Sequence, residues 1–366
     1  MKKINIGLIG CGVISDIYLK NCSSFEHLDI VAVSDLDQKR AEEKAREYNI
    51  PSVLTVDELI HSEDIDIVLN LTPPGGHYAL CLQALNAGKH VYVEKPLSVS
   101  VPEAQELIDT AKEKGLLIGA APDTFLGAGL QTCRSLIENG AIGQPVAATA
   151  FMMSRGPEQW HPSPAFFYQA GGGPMYDMGP YYLTAFISLL GPVKRVTASA
   201  GMPFLERTIM SGEDAGKKIP VHTPTHISGN VEFESGAVGT IITSFDVQAS
   251  RLPFIEIYGT EGTISVPDPN TFGGPVVFKQ KGSNEWVEQE LVSDTVENSR
   301  GIGIADMAAA ILENRPHRAS GDQAFHVLEI MHGFHEAASL GKHYDMTSTY
   351  NRPAGVNETL VSGGNQ

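Results

Sequence analysis

The chain has 366 residues, enough for two domains with substantial cores. Its 26 Lys and Arg against 43 Asp and Glu give a formal net charge of -17, which repels phosphate backbones and anionic membrane surfaces and argues against nucleic acid as a partner. Four scattered cysteines, Cys11, Cys22, Cys81 and Cys133, supply neither a disulfide framework nor a CxxC metal motif, and they suit a reducing cytoplasm. Lys2-Lys3 and the apolar residues up to Ile14 imitate a secretory leader, but Gly7, Gly10 and Gly12 interrupt the run and no small-residue cleavage pattern follows. No stretch reaches the ~18 apolar residues of a membrane span. The expectation is a soluble, cytoplasmic protein with no membrane partner.

The first third alternates short apolar runs with helical patterns. Ile4 to Ile9 reads as a buried strand, with a helix from about Val13. Leu28 to Ser34 is a second strand, followed by an amphipathic helix over Asp37 to Tyr48. Thr55-Val56-Asp57-Glu58 matches a capping box and opens a short helix before the strand Ile65 to Thr72. A helix from about Gly76 to Ala87, the strand His90 to Glu94, a helix opened by a second capping box at Ser100 to Glu103, and the strand Leu116 to Ala121 complete the series. Strands separated by helices imply parallel pairing.

After Pro122 the texture changes. A helix over Gly129 to Asn139 precedes the alternating segments Val146 to Met152, His226 to Phe233, Val238 to Phe245 and Phe254 to Ile257, which read as an antiparallel or mixed sheet. Helical character returns at Asp306 to Glu313 and at Asp322 to Leu340. The expected architecture is α/β: an N-terminal Rossmann parallel sheet over 1–123, a C-terminal α+β domain with an open, largely antiparallel sheet over 124–346, and a polar tail over 347–366.

Gly10-Cys11-Gly12-Val13-Ile14-Ser15 sits directly after the first strand and at the start of the first helix, where a dinucleotide fingerprint belongs. Gly10 permits the tight turn, and Gly12 lets the backbone approach a pyrophosphate at the helix N-terminus. Ser15 replaces the third glycine of that pattern. Asp35 ends the second strand 25 residues after Gly10, where a carboxylate accepts hydrogen bonds from ribose hydroxyls and repels a 2′-phosphate. The cofactor expected is therefore NAD, with NADP kept open by the neighbouring Lys39 and Arg40.

Thr72-Pro73-Pro74 with His77, followed by Gly88-Lys89-His90-Val91-Tyr92-Val93-Glu94-Lys95-Pro96, resembles the glucose-fructose oxidoreductase, inositol dehydrogenase and rhizopine-catabolism (Gfo/Idh/MocA) family. The resemblance continues through Gly171-Gly172-Gly173, Asp177, Gly179, Phe233 to Ala237 and Tyr258 to Gly262, to about Met346. It implies cofactor contacts from Gly10, Cys11, Gly12, Val13, Ile14, Asp35, Thr72, Pro73, His77, Glu94 and Lys95, and a Lys95-Pro96 cis bond that aims the lysine. It also implies that Lys95 contacts both the nicotinamide ribose and the reacting hydroxyl, so that it can share or accept the hydroxyl proton.

The sequence departs from the commonest family pattern where Met178-Gly179-Pro180-Tyr181 follows Asp177: Tyr181 stands in for the usual histidine. The resemblance makes Lys95, Tyr181 and Asp177 the catalytic set. Substrate contacts are expected from Asp123, Arg155, Trp160, His161, Asp177 and Tyr181, with Trp160 offering an apolar face to pyranose C–H groups. His222 with His226, and His332 with His335 and Glu336, match no zinc pattern, so no metal is expected.

The function implied is hydride transfer between nicotinamide and a secondary ring alcohol of a small neutral sugar or glycoside, at C3 of a glucoside in the subgroup the pocket motifs resemble. Inositol oxidation, a redox-neutral oxidation and elimination of glycosides, and a non-catalytic nucleotide-binding sensor are the alternatives. A homo-oligomer, paired through the open sheets of the second domain, is expected from the resemblance.

Overall fold

The computed structural model describes residues 3–355. The backbone divides into two compact units, each assembled from separate stretches of chain. Among the described residues the first unit takes in 3–131, 292–328 and 353–355, and the second 132–291 and 329–352. The continuous limits drawn from the sequence, 1–123 and 124–346, differ from this division chiefly in the stretch 292–328, which clusters with the N-terminal unit. Most of the expected polar tail, 356–366, lies outside the described residues.

In the first unit, β1 (Ile4–Ile9), β2 (Leu28–Ser34), β3 (Ser52–Val53), β4 (Ile67–Asn70), β5 (His90–Val93) and β6 (Ile118–Ala120) pair in parallel in the order β3-β2-β1-β4-β5-β6. This is the doubly wound order of dinucleotide-binding folds. The crossovers that parallel neighbours require are made by α1 (Ser15–Cys22), α2 (Gln38–Glu47), α3 (Val56–His61), α4 (His77–Asn86) and α5 (Val101–Lys114). β4 is buried along its whole length, as a strand covered on both faces must be.

Thr55 and Glu58 form the expected capping box at α3. The second expected box does not form. Ser100 makes no side-chain cap bond, and Glu103 instead accepts a hydrogen bond from the Ser98 hydroxyl at 2.6 Å. Sequence spacing could not foresee that a serine two residues earlier competes for the same carboxylate.

The second unit is built on a mixed sheet, with α6 (Ala128–Glu138) containing the crossing between units. β7 (Pro145–Met153) is followed by α7 (Gly173–Asp177) and α8 (Gly179–Leu190), and then by β8 (Val193–Gly201). A separate hairpin pairs β9 (Glu206–Thr208) with β10 (Lys218–Pro220). The main sheet resumes with β11 (His226–Phe233), β12 (Val238–Ser244), β13 (Ile255–Gly259), β14 (Gly262–Val266), β15 (Val277–Gln280) and β16 (Val287–Glu288). Among the described residues its nine strands end with β17 (Tyr344–Asp345) beside β8, and of its pairings only β7 with β12 is parallel.

All residues of α8 are buried, and Phe186 meets Phe233 of β11 edge to face at 5.8 Å. This covers one face of the sheet. The other face carries Ser228, Asn230, Thr240, Thr149 and Tyr258, all at least partly exposed, in the alternation expected of a half-buried sheet. β8, β9, β10 and β14 to β17 were not foreseen from the sequence; β9, β10, β15, β16 and β17 are only two to four residues long, too short to show a period of two.

The helices α9 (Ile302–Glu313) and α10 (Gly321–Leu340) follow. α9 starts before Asp306, where the sequence placed its beginning, because its first turn is held by a distant carboxylate. Asp123 Oδ2 accepts the backbone N–H groups of Gly301 at 2.8 Å and Gly303 at 3.0 Å. Those donors are left over at any helix N-terminus, and a negative charge is favoured there. Asp123 is 1% exposed, however, and burial outweighs these bonds, raising its carboxyl from 3.8 to about 6. The folded chain therefore holds this proton more tightly than the unfolded one. The resulting stability is present below the unfolded value and is lost as pH rises through about 6. Relative to wild type, Asp123→Asn should gain up to about 3 kcal/mol between about pH 4 and pH 7, measured by chemical denaturation. A difference that stays constant with pH would show that Asp123 titrates normally.

Candidate active site

In a doubly wound sheet, ligands bind beyond the carboxyl ends of the strands, where the strand order reverses. Here the reversal lies between β1 and β4, and the parallel register aligns Ile9 with Ser34 on one side and with Asn70 on the other. Asn70 in turn aligns with Val93. The residues that follow these positions are Gly10, Asp35, Thr72 and the Glu94-Lys95 pair, so four separate motifs open onto one edge.

Gly10 has φ +101, and a Cβ there would lie 2.8 Å from the Leu71 carbonyl carbon, so both conformation and space demand glycine. A Cβ on Gly12 would meet nothing within 4 Å, which leaves the outer side of the turn open for a pyrophosphate. Val13 is 94% exposed and Leu36 fully exposed beside this opening. Apolar side chains so placed suit an adenine face, and Leu36 was missed by the sequence reading because it continues no motif. Ser15 is fully buried and its hydroxyl donates to the Gly12 carbonyl at 2.6 Å, a bond that a third glycine could not make. Ile14 is the α1 N-cap.

Asp35 is nearly buried. Its Oδ2 accepts the Cys11 N–H and its Oδ1 the Asp37 N–H, both at 2.8 Å, with Arg40 at 3.5 Å. The carboxylate thus ties the glycine turn to the end of β2. Burial raises the Cys11 thiol to about 12, so it is a packing group here.

Thr72 follows β4, and its N–H and hydroxyl both donate to the Asn70 side chain, at 3.1 and 2.7 Å. Pro73 beside it is exposed. His77 is fully buried, with Nδ1 2.7 Å from the Pro96 carbonyl and Nε2 2.8 Å from the Thr72 carbonyl. Burial lowers its pKa although both carbonyls favour protonation. The imidazole therefore joins two loops of the site from behind, instead of facing the opening as a cofactor contact would. Glu94 accepts the Tyr18 hydroxyl at 2.8 Å and the Lys95 N–H at 2.9 Å. The Lys95-Pro96 bond is cis, and Lys95 itself is partly exposed at the carboxyl end of β5. Asp123, expected at the substrate, is instead buried at the start of α9. Its signal was ambiguous because a helix-capping aspartate and a substrate aspartate look alike in sequence.

The second unit holds the other expected residues. Gly173 has φ +83, and a Cβ there would lie 2.8 Å from the Pro224 carbonyl oxygen, which explains part of the glycine triplet. α7 ends at Asp177 and α8 begins two residues later, so Asp177 and Tyr181 lie four residues apart on successive turns. Asp177 is partly exposed and Tyr181 is 8% exposed.

A cleft of about 300 Å³ in this unit is lined by Met153, Ser154, Arg155, Gly156, Gln159 and Trp160 on one wall and by Val247, Gln248 and Ala249 on the other. Arg155 and Trp160 thus line the same cleft. Trp160 is 66% exposed and meets His161 edge to face at 5.4 Å. His161 does not line the cleft. It packs edge on against Phe166 and Phe167 and supports the indole from behind.

Among the described residues, His226 Nδ1 lies 2.9 Å from the Ser244 hydroxyl, His332 packs on Tyr344 and His335 on Tyr176. No helix of the described residues is long and apolar enough to cross a membrane.

Comparison with known proteins agrees with this geometry. Residues 4–121 match the oxidoreductase family with an NAD-binding Rossmann fold, GFO/IDH/MocA, and residues 130–265 match the C-terminal domain of that same family. The chain is 24% identical over 345 residues to the uncharacterized oxidoreductase YrbE of Bacillus subtilis, covering 93% of this chain and 96% of that one. It is 29% identical over 249 residues to the D-glucoside 3-dehydrogenase of Escherichia coli, covering 66% of this chain and 70% of that one. Among solved structures, levoglucosan dehydrogenase in complex with NADH and levoglucosan shares the fold at a TM-score of 0.82 and 20% identity, over 95% of this chain and 100% of that one. With both of its units matched and the glycine turn, Asp35 and Lys95 gathered at one sheet edge, the chain belongs to the GFO/IDH/MocA family of NAD-binding oxidoreductases.

Proposed function

We propose that this oxidoreductase is a dehydrogenase that takes hydride from a secondary ring alcohol of a neutral sugar or glycoside, with C3 of a glucoside as the preferred position. The observation that carries the reading is the cleft of the second unit. It joins an exposed indole to Arg155, Gln159, Gln248 and Ser154, and no carboxylate lines it. An indole face takes up the C–H groups of a pyranose while neutral and cationic donors satisfy its hydroxyls. The names of two similar proteins, a D-glucoside 3-dehydrogenase and a levoglucosan dehydrogenase, point the same way.

When bound, NAD supplies the hydride acceptor. Lys95 accepts the hydroxyl proton as hydride leaves the carbon, Tyr181 relays it, and Asp177 holds a neighbouring hydroxyl in place. Asp35 would hold the adenosine ribose by accepting from its hydroxyls, and a 2′-phosphate would meet its charge at short range.

Incubation with NAD and a panel of hexoses, glucosides and inositols should give a 340 nm signal and a keto glucoside by mass spectrometry. Turnover of inositols alone would move the assignment to inositol oxidation. Lys95→Ala should lower kcat by about 100-fold or more while NAD affinity holds. A loss of less than about tenfold would remove Lys95 as proton acceptor.

Cofactor choice has its own measurement. NAD should bind at least about tenfold more tightly than NADP, and Asp35→Ser should narrow that gap. Equal affinities in the wild-type chain would take this role from Asp35.

We also propose a homo-oligomer formed through the partly exposed face of the nine-stranded sheet, where Ala147, Thr149, Phe151, Val238, Thr240 and Ile242 of β7 and β12 present a mixed surface. Light scattering at micromolar concentration should give a multiple of 39.3 kDa, and a monomer mass would refute it.

A further inference from the structure

Behind the two walls of the cleft lie two carboxylates and one cation. Glu158 belongs to the first wall's loop and Asp246 immediately precedes the second wall, yet neither lines the cleft. Both are turned to Arg207 of β9. The guanidinium donates from Nη1 to Glu158 Oε1 at 3.2 Å and from Nη2 to Asp246 Oδ1. The side chains are nearly buried, at 10% exposure for Arg207, 3% for Glu158 and 9% for Asp246.

Further hydrogen bonds and ring contacts hold the two carboxylates and the cation, while Arg207 Nε is buried without a hydrogen-bond partner among the described residues. The Tyr168 hydroxyl donates to Glu158 Oε2, and the Thr225 hydroxyl donates to Asp246 Oδ2 at 2.8 Å. The guanidinium lies 4.8 Å from the Phe204 ring centre and 5.6 Å from that of Tyr168. The floor of the cleft is set by backbone, since Ser154 N–H donates to the Ser244 carbonyl at 2.9 Å and Val247 N–H donates to the Ser154 carbonyl at 3.0 Å. Beyond that floor, Arg207 ties the two walls together from behind. The hairpin carrying it also touches the loop directly, through Met210 N–H to the Glu158 carbonyl at 2.9 Å.

We propose that Arg207 is a positioning residue that sets the width of the cleft, and with it the affinity for a pyranoside ring, by tying Glu158 behind one wall to Asp246 behind the other. This rests on the reading of the cleft as the saccharide site. A planar fork with two terminal nitrogens serves two carboxylates at once, whereas the point charge of a lysine pairs well with one. Without the shared cation, two nearly buried carboxylates repel each other, and the loop of Trp160 moves away from the segment 247–249.

The test compares wild type with Arg207→Lys, Glu158→Gln and Asp246→Asn at saturating NAD, on the glucoside that the wild-type enzyme oxidises. KM should rise about tenfold or more while kcat stays within about threefold and NAD affinity is unchanged. Trp160 is one of two tryptophans, so a Trp286→Phe background isolates its fluorescence. In that background the variants should show greater acrylamide quenching of Trp160 and a weaker response to the glucoside. A merely structural role would lower the melting temperature without moving KM or the quenching. Unchanged KM in a folded variant overturns the proposal. So does a failure of all three variants to fold, which would make the bridge a folding element. If the wild-type chain oxidises no glycoside, the underlying reading fails before any variant is compared.

Discussion

The parallel register of the first sheet is the constraint from which the candidate cofactor site follows. Parallel strands must each be followed by a crossover, so every strand's carboxyl end faces the same edge. Aligning Ile9 with Ser34 and Asn70, and Asn70 with Val93, brings together loops that are distant in sequence. A one-residue slip in β1 would turn Gly10 away from Leu71 and break the Cys11 to Asp35 bond. The precision of the site is therefore inherited from backbone hydrogen bonding, with side chains adding the final ties.

Those ties come from buried polar groups that serve two loops each. His77 joins the Thr72 loop to the Lys95-Pro96 loop, Glu94 joins α1 to the start of that same loop through Tyr18, and Asp123 holds the first turn of α9. Each lies at or near a motif position and each was a candidate for direct ligand contact. Burial decides otherwise for His77 and Asp123, because a fully covered group that satisfies backbone partners has little left to offer a ligand.

The second unit solves a different problem. Its sheet is mixed, and the loop of Trp160 leaves β7 through a segment rich in proline and glycine, with short 3₁₀ turns in place of a longer helix. Such a loop keeps a defined shape only when it is held from outside. The β9–β10 hairpin does so with Arg207, while the His161, Phe166 and Phe167 rings support the indole beside the cleft. Rigidity is supplied where local structure cannot provide it.

The sequence by itself determined the parallel sheet, the glycine turn, Asp35 and the Glu94-Lys95-Pro96 phrase, because periodicity, turn chemistry and short motifs are local properties of the chain. It also offered Arg155 and Trp160, with four residues between them, as substrate candidates. Only the tertiary structure decided that Asp123 is a helix anchor, that His77 is a buried bridge, and that the stretch 292–328 packs with the first unit. It alone paired Arg207 with Glu158 and Asp246, residues 49 and 39 positions away. No local pattern encodes such contacts, because burial and long-range pairing arise only when separate elements pack against one another.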